Sequence, residues 1–210
     1  MSKVLILFAH PDQSQSCVNT SMASAARELD DVTVADLYAE YPRYKIEPEK
    51  EQQRLLEHDV VVLQFPFYWY STPSILKEWM DGVLEYGFAY GHEGDKLANK
   101  PLLVATTAGG SEDAYSTQGS NQFPIRTLLS PLEQTANLCQ MPYLPPFVLF
   151  GSLAASQDQR LTTHINHYRA LLISLRDDQL DVKALSSHEL MSESLLSVSA
   201  ENPADRRPRD

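Results

Sequence analysis

The chain has 210 residues, of which 43% are hydrophobic, 9% aromatic and 21% charged. That is enough apolar side chain for one domain to bury a core without disulfide or metal staples, and it excludes wholesale disorder and collagen-like architectures. Seventeen Lys and Arg against 28 Asp and Glu leave a formal charge of −11, which repels a polyanion and disfavours broad capture of a phosphate backbone, though not a local anion pocket made of backbone amides.

The first predicted element is a strand over Val4 to Ala9, an apolar run too short for a signal sequence or membrane span. It ends at His10-Pro11, and a polar loop from His10 to Asn19 leads into a helix predicted over Asn19 to Leu29. N–H groups and Ser or Asn side chains at a helix start suit a phosphate dianion. The same residues also read as a turn with Ser16 as helix cap, since no Gly-x-Gly-x-x-Gly or Walker glycine pattern is present. Cys17 and Cys139 are too few for a secreted disulfide framework and show no Cys-x-x-Cys spacing, which points to a reducing, cytoplasmic compartment.

A weaker strand over Val32 to Val34 and a helix over Pro48 to Glu57 precede a strong strand over Val60 to Phe65. The loop that follows, Pro66 to Pro73, carries four consecutive aromatics, Phe67, Tyr68, Trp69 and Tyr70. Such a row suits stacking on a planar ring, and equally a dimer or core cluster. A helix over Ser74 to Leu84 and a strand over Leu102 to Ala105 lead to Thr106 to Gly119, where Gly109 and Gly110 permit close backbone approach to a ligand. Ile125 to Leu138 reads as a helix, Phe147 to Phe150 as a strand and Gln157 to Leu175 as a helix. On that last helix His164 and His167 lack a third metal ligand and read as a solvated face, while Cys139 reads as a small buried hydrophobe. No metal site is expected.

This alternation predicts an α/β flavodoxin-like fold, a five-stranded parallel sheet with helices on both faces, over residues 1–175. In such a sheet ligands bind outside the carboxyl ends of the strands, so the loops after strands one, three and four form the expected site. Residues 176–210 lack aromatics and glycine and read as a tail. Leu185, Leu190, Met191, Leu195 and Leu196 can line an amphipathic helix there, with the last ten residues disordered.

Together the three loops resemble the NAD(P)H:quinone oxidoreductase family of flavodoxin-like flavoproteins, especially its small bacterial members that serve as ancillary subunits of glutathione-regulated potassium-efflux systems. The resemblance runs from about residue 2 to 175 and is most specific in Gln64-Phe-Pro-Phe-Tyr-Trp-Tyr-Ser-Thr-Pro-Ser-Ile-Leu-Lys-Glu-Trp79 and Gly87-Phe-Ala-Tyr-Gly91. It implies that His10, Ser16, Cys17 and Asn19 hold a flavin phosphate. Pro66, Phe67, Trp69 and Tyr70 would then lie along the ribityl chain and isoalloxazine, with Thr107, Gly109 and Gly110 at the ring's polar edge.

By the same resemblance Tyr115 lies beside the flavin N1 and O2, and Asn121 stands where larger members of the family carry a histidine. An amide there donates a hydrogen bond but supplies neither proton nor charge. The implied activity is ping-pong, two-electron reduction of a quinone by NAD(P)H through N5 of FMN, with FAD disfavoured in so small a chain. The alternative is a regulatory subunit on the cytoplasmic face of a potassium-efflux antiporter, peripheral to the inner face of the membrane. Crowded aromatics at Trp79, Tyr86, Phe88 and Tyr90 further imply a homodimer, with Phe88 and Tyr90 lining the substrate space.

Overall fold

Apolar, β-branched runs form the strands, the central ones buried on both faces, and amphipathic segments between them form the covering helices. The computed structural model describes residues 1–155 and 159–192. In chain order the strands are β1 Val4–Phe8, β2 Val32–Asp36, β3 Val60–Pro66, β4 Leu102–Thr107 and β5 Phe147–Leu149. The helices are α1 Val18–Arg27, α2 Leu37–Glu40, α3 Pro48–Leu56, α4 Ser74–Val83, α5 Ile125–Leu128, α6 Ser130–Leu138, α7 Ser152–Ala155, α8 Arg160–Arg176 and α9 Val182–Leu185.

All five strands pair in parallel in the order β2-β1-β3-β4-β5. This is the flavodoxin-like arrangement expected from the alternation. The register sets Phe8 beside Gln64, Pro66 beside Thr107 and Thr107 beside Leu149, so β1, β3, β4 and β5 end along one edge. Side chains alternate across the sheet into two cores. Leu5, Leu7, Val61, Leu63 and Val104 meet α3, α4 and α6 on one face; Val4, Ile6, Val60, Val62 and Leu103 meet α1 and α8 on the other.

Several sequence expectations need correction. The helix expected over Ile125 to Leu138 is split at Leu129 because Pro131 lies in the first turn of α6, where its missing N–H and fixed φ favour a new start over continuation. The short α2 lacks enough apolar period to be seen; the Asp36 carboxylate, accepting from Ala39 N at 3.1 Å, starts it. His164 is not on a solvated face. It is buried, with its ring stacked on Phe147 at 4.2 Å, and burial lowers its pKa to about 4. Trp79 belongs to the core rather than to a surface cluster: only 2% exposed, it donates from Nε1 to the fully buried Glu51 carboxylate at 2.8 Å. The other oxygen of Glu51 accepts from Tyr41 and Arg54, so the buried charge is fully partnered.

The segment after α8 is bound to the domain as far as it is described. Leu185 and Met191 are buried in the second core, and Met191 N donates to the Pro146 carbonyl at 3.0 Å. Arg126, paired with Glu133 at 2.7 Å, also donates to the carbonyls of Ser186 and His188. Leu195, Leu196 and the last ten residues, read as helix and disorder from the sequence, lie outside the described residues.

Candidate functional site

The strand ends at the carboxyl edge enclose a cleft of about 380 Å³. It gathers His10, Ser16, Cys17 and Asn19 from the first loop and the start of α1, Pro66 and Phe67 from the end of β3 and the residue after it, and Thr107 and Gly109 from the end of β4 and the loop after it. Ser152 and Leu153, which follow β5, complete it. The sequence reading missed these two by stopping at the fourth strand, although the rule that points to strand ends applies equally to the fifth.

The start of α1 is open toward this cleft. Cys17 makes no side-chain cap and the first turn holds no acidic residue, so its N–H groups and the positive helix end are left for an anion. Asn19 is 2% exposed; its Nδ2 donates to Thr107 Oγ1 at 2.8 Å while its Oδ1 is buried without a partner. A buried polar atom left unpaired costs about 1–3 kcal/mol, which is why such an atom in a cleft wall marks a place for a polar ligand group.

His10 is buried at the end of β1. Its Nδ1 accepts the Asp12 N–H at 3.2 Å, which leaves the proton of the neutral ring on Nε2 as a donor. Burial lowers its pKa, opposed by the carboxylates of Asp12 and Asp36.

The aromatic row forms a tight turn. Tyr68 N donates to Ser71 O at 3.2 Å and Ser71 N to Tyr68 O at 3.0 Å. The two residues between, Trp69 and Tyr70, are both left-handed with φ of 48° and 62°. A two-residue reversal of the primed type demands this backbone, normally from Gly or Asn, and bulky side chains hold it at a cost of order 1–3 kcal/mol each. Strain of this kind concentrates where side chains are aimed at ligands.

Trp69 is 93% exposed. Phe67 is buried and passes ring contact to Tyr70 at 6.3 Å and to Tyr115 at 6.2 Å, and Tyr115 meets Phe150 at 5.6 Å. Tyr70 donates its hydroxyl to Asn121 Oδ1 at 3.0 Å. A Cβ at Gly110 would come within 3.2 Å of the Tyr115 ring, which would have to give way by a few tenths of an ångström, so glycine lets that ring sit close over the backbone. Burial raises the Tyr115 pKa, with the neighbouring Tyr70 adding to it, so its hydroxyl stays protonated near neutral pH.

Tyr70, Gly110, Tyr115 and Asn121 thus form a second cluster joined to the cleft through Phe67. Phe88 and Tyr90 line neither. They are half-buried against the first core, where Tyr90 meets the Tyr86 ring edge-on at 5.8 Å. Among the described residues no group of three or more His, Cys, Asp or Glu is placed to hold a metal ion, and no helix is long and apolar enough to cross a membrane.

A family model described as flavodoxin-like fold matches residues 2–172. The chain is 46% identical over 156 residues, 74% of its length and 85% of the relative's, to the glutathione-regulated potassium-efflux system ancillary protein KefG of Pectobacterium carotovorum. Among solved structures, general stress protein 14 of Treponema denticola in complex with FMN superposes with a TM-score of 0.78 at 39% identity, covering 82% of this chain and 99% of that one. An NADPH-quinone reductase from P. pentosaceus superposes with a TM-score of 0.73 at 31% identity, covering 80% and 96%.

Proposed function

We propose, since the chain belongs to the Flavodoxin_2 family of flavodoxin-like fold, that it is an FMN-dependent oxidoreductase that carries two electrons from NAD(P)H to a quinone. The observation that carries this is the buried, unpartnered Asn19 Oδ1 in a cleft beside the open start of α1. The FMN complex of the T. denticola protein and the activity named for the P. pentosaceus protein support it.

The residues present fit FMN. The N–H groups at the start of α1, with Ser16, Cys17 and His10 Nε2, suit the phosphate dianion. A phosphate dianion offers no proton to Asn19 Oδ1, so that acceptor suits a ribityl hydroxyl instead. Pro66 and Phe67 supply a flat apolar wall, and Gly109 keeps the β4 loop low enough for a ring to approach. FMN supplies, when bound, a ring that takes up a hydride and releases two electrons to an acceptor in a second, ping-pong step.

The chain's own part is to bind, orient and shield. Tyr115 holds its proton and donates it toward negative charge that develops at the polar edge of the ring, and the Asn121 amide adds a weaker donor. Trp69, solvent-exposed on one chain, and Phe88 and Tyr90, outside the cleft of one chain, are accounted for by a homodimer in which a second copy completes the substrate space.

The similarity to KefG favours a second, compatible reading as a regulatory subunit on the cytoplasmic face of a potassium-efflux antiporter. Titration of cofactor-free protein with FMN tests the binding half of the proposal: saturable quenching of flavin fluorescence is expected, and no uptake of FMN refutes it. Co-purification with the antiporter from detergent-solubilised membranes tests the second reading.

A further inference from the structure

Four buried polar side chains run in series through the sheet. Tyr168 on α8, fully buried, donates its hydroxyl to Gln64 Oε1 at 3.0 Å. Gln64 on β3, also fully buried, donates from Nε2 to the backbone carbonyl of Asn19 at 2.8 Å. Asn19, in the first turn of α1, donates from Nδ2 to Thr107 Oγ1 on β4 at 2.8 Å.

The orientation of Gln64 follows from chemistry. The Asn19 carbonyl only accepts, so Nε2 must face it, and Tyr168 then satisfies the remaining oxygen. Packing alone does not call for this arrangement. β3 otherwise reads Val-Val-Val-Leu before Gln64, so an apolar side chain would continue the strand's core; Gln64 instead reaches a backbone carbonyl of α1. Neither Gln64 nor Tyr168 lines the cleft. What they reach is the residue of α1 whose unpartnered oxygen does.

We propose that Gln64 and Tyr168 are positioning residues that act through Asn19, holding the first turn of α1 against the ends of β3 and β4 so that its N–H groups stay aligned on a bound phosphate. The proposal rests on the FMN reading above. Without the Gln64 amide, the Asn19 backbone loses its tie to β3; the bonds within α1 and the side-chain bond to Thr107 remain, and the first turn is held less firmly against the sheet. Contacts to the part of the ligand that riboflavin shares with FMN persist, because Thr107 still holds the Asn19 side chain. The phosphate contacts do not.

The test compares the dissociation constants of FMN and of riboflavin, which lacks the phosphate, for cofactor-free wild type, Gln64→Met and Tyr168→Phe, with thermal melting of each. The expected result is an FMN affinity weakened about tenfold in Gln64→Met and about fivefold in Tyr168→Phe, with riboflavin changed by less than about twofold. The double variant should be no weaker than Gln64→Met, because Tyr168 acts through Gln64. Equal weakening of both flavins marks a merely structural role and overturns the proposal, as does no change in either. If Gln64→Met does not fold, Tyr168→Phe, which removes one oxygen atom, carries the same comparison. Wild-type protein that binds neither flavin sinks the functional reading, and the proposal with it.

Discussion

The Tyr70 hydroxyl donates to Asn121 Oδ1 at 3.0 Å and so ties the aromatic turn after β3 to the glycine-bearing loop after β4. With its oxygen taken, the Asn121 amide is left with Nδ2 as its donor, 3.8 Å from where a Cβ at Gly110 would stand. On the flavin reading proposed above, this donor serves the polar edge of the ring. Histidine at this position would supply a charge where the amide supplies only a dipole.

Asn121→His should therefore make flavin reduction pH dependent. A protonated imidazole favours the anionic reduced ring, so the gain is present below the imidazole pKa, ordinarily about 6.5, and is lost as pH rises through it. The reduction rate measured by stopped flow across that range checks this. A flat profile equal to wild type places position 121 away from the ring.

Tyr115→Phe should slow flavin reduction by at most about a hundredfold while leaving FMN affinity within about twofold, since the ring remains and only the donor goes. Unchanged reduction would make Tyr115 a packing residue between Phe67 and Phe150.

The fold was legible because its signal is repetition: apolar runs such as Val60 to Phe65 alternate with amphipathic segments such as Ser74 to Leu84, and each strand confirms the next. The three loops were legible for the same reason, since topology alone sends them to one edge. What was not legible depends on partners far away in sequence. Nothing local distinguishes His164 on Phe147 from a surface histidine, shows that Trp79 donates to a buried Glu51, or shows that the apolar line of Leu185 and Met191 closes on the second core. The left-handed backbone at Trp69 and Tyr70 was equally hidden, because propensity argues against it and the loop adopts it nonetheless.

That backbone gives a paired prediction. Trp69→Gly should be more stable than Trp69→Ala by about 1 kcal/mol, because glycine adopts a φ of 48° without strain and alanine does not. Both should lose FMN affinity alike if the indole borders the ring. Denaturant unfolding of the cofactor-free variants decides the first point; equal stability would mean that the turn relaxes.

Stability should also fall in mild acid through His164. Its folded pKa of about 4 lies below the ordinary histidine value of about 6.5, so between these values the unfolded chain binds more protons. Its contribution is complete above about pH 6.5 and declines by at most about 1.4 kcal/mol per pH unit as pH drops toward 4. His164→Leu should flatten that slope in denaturant titrations. An unaltered slope would assign the acid sensitivity to other groups.

Anaerobic mixing of the FMN-loaded protein with NADH or NADPH, followed by one equivalent of a quinone, decides whether the protein is a two-electron reductase. The visible flavin absorbance should bleach with the nicotinamide and recover fully with the quinone, without a radical species accumulating. A protein that holds FMN yet shows no bleaching with either nicotinamide contradicts this and leaves a flavin-binding module rather than a reductase.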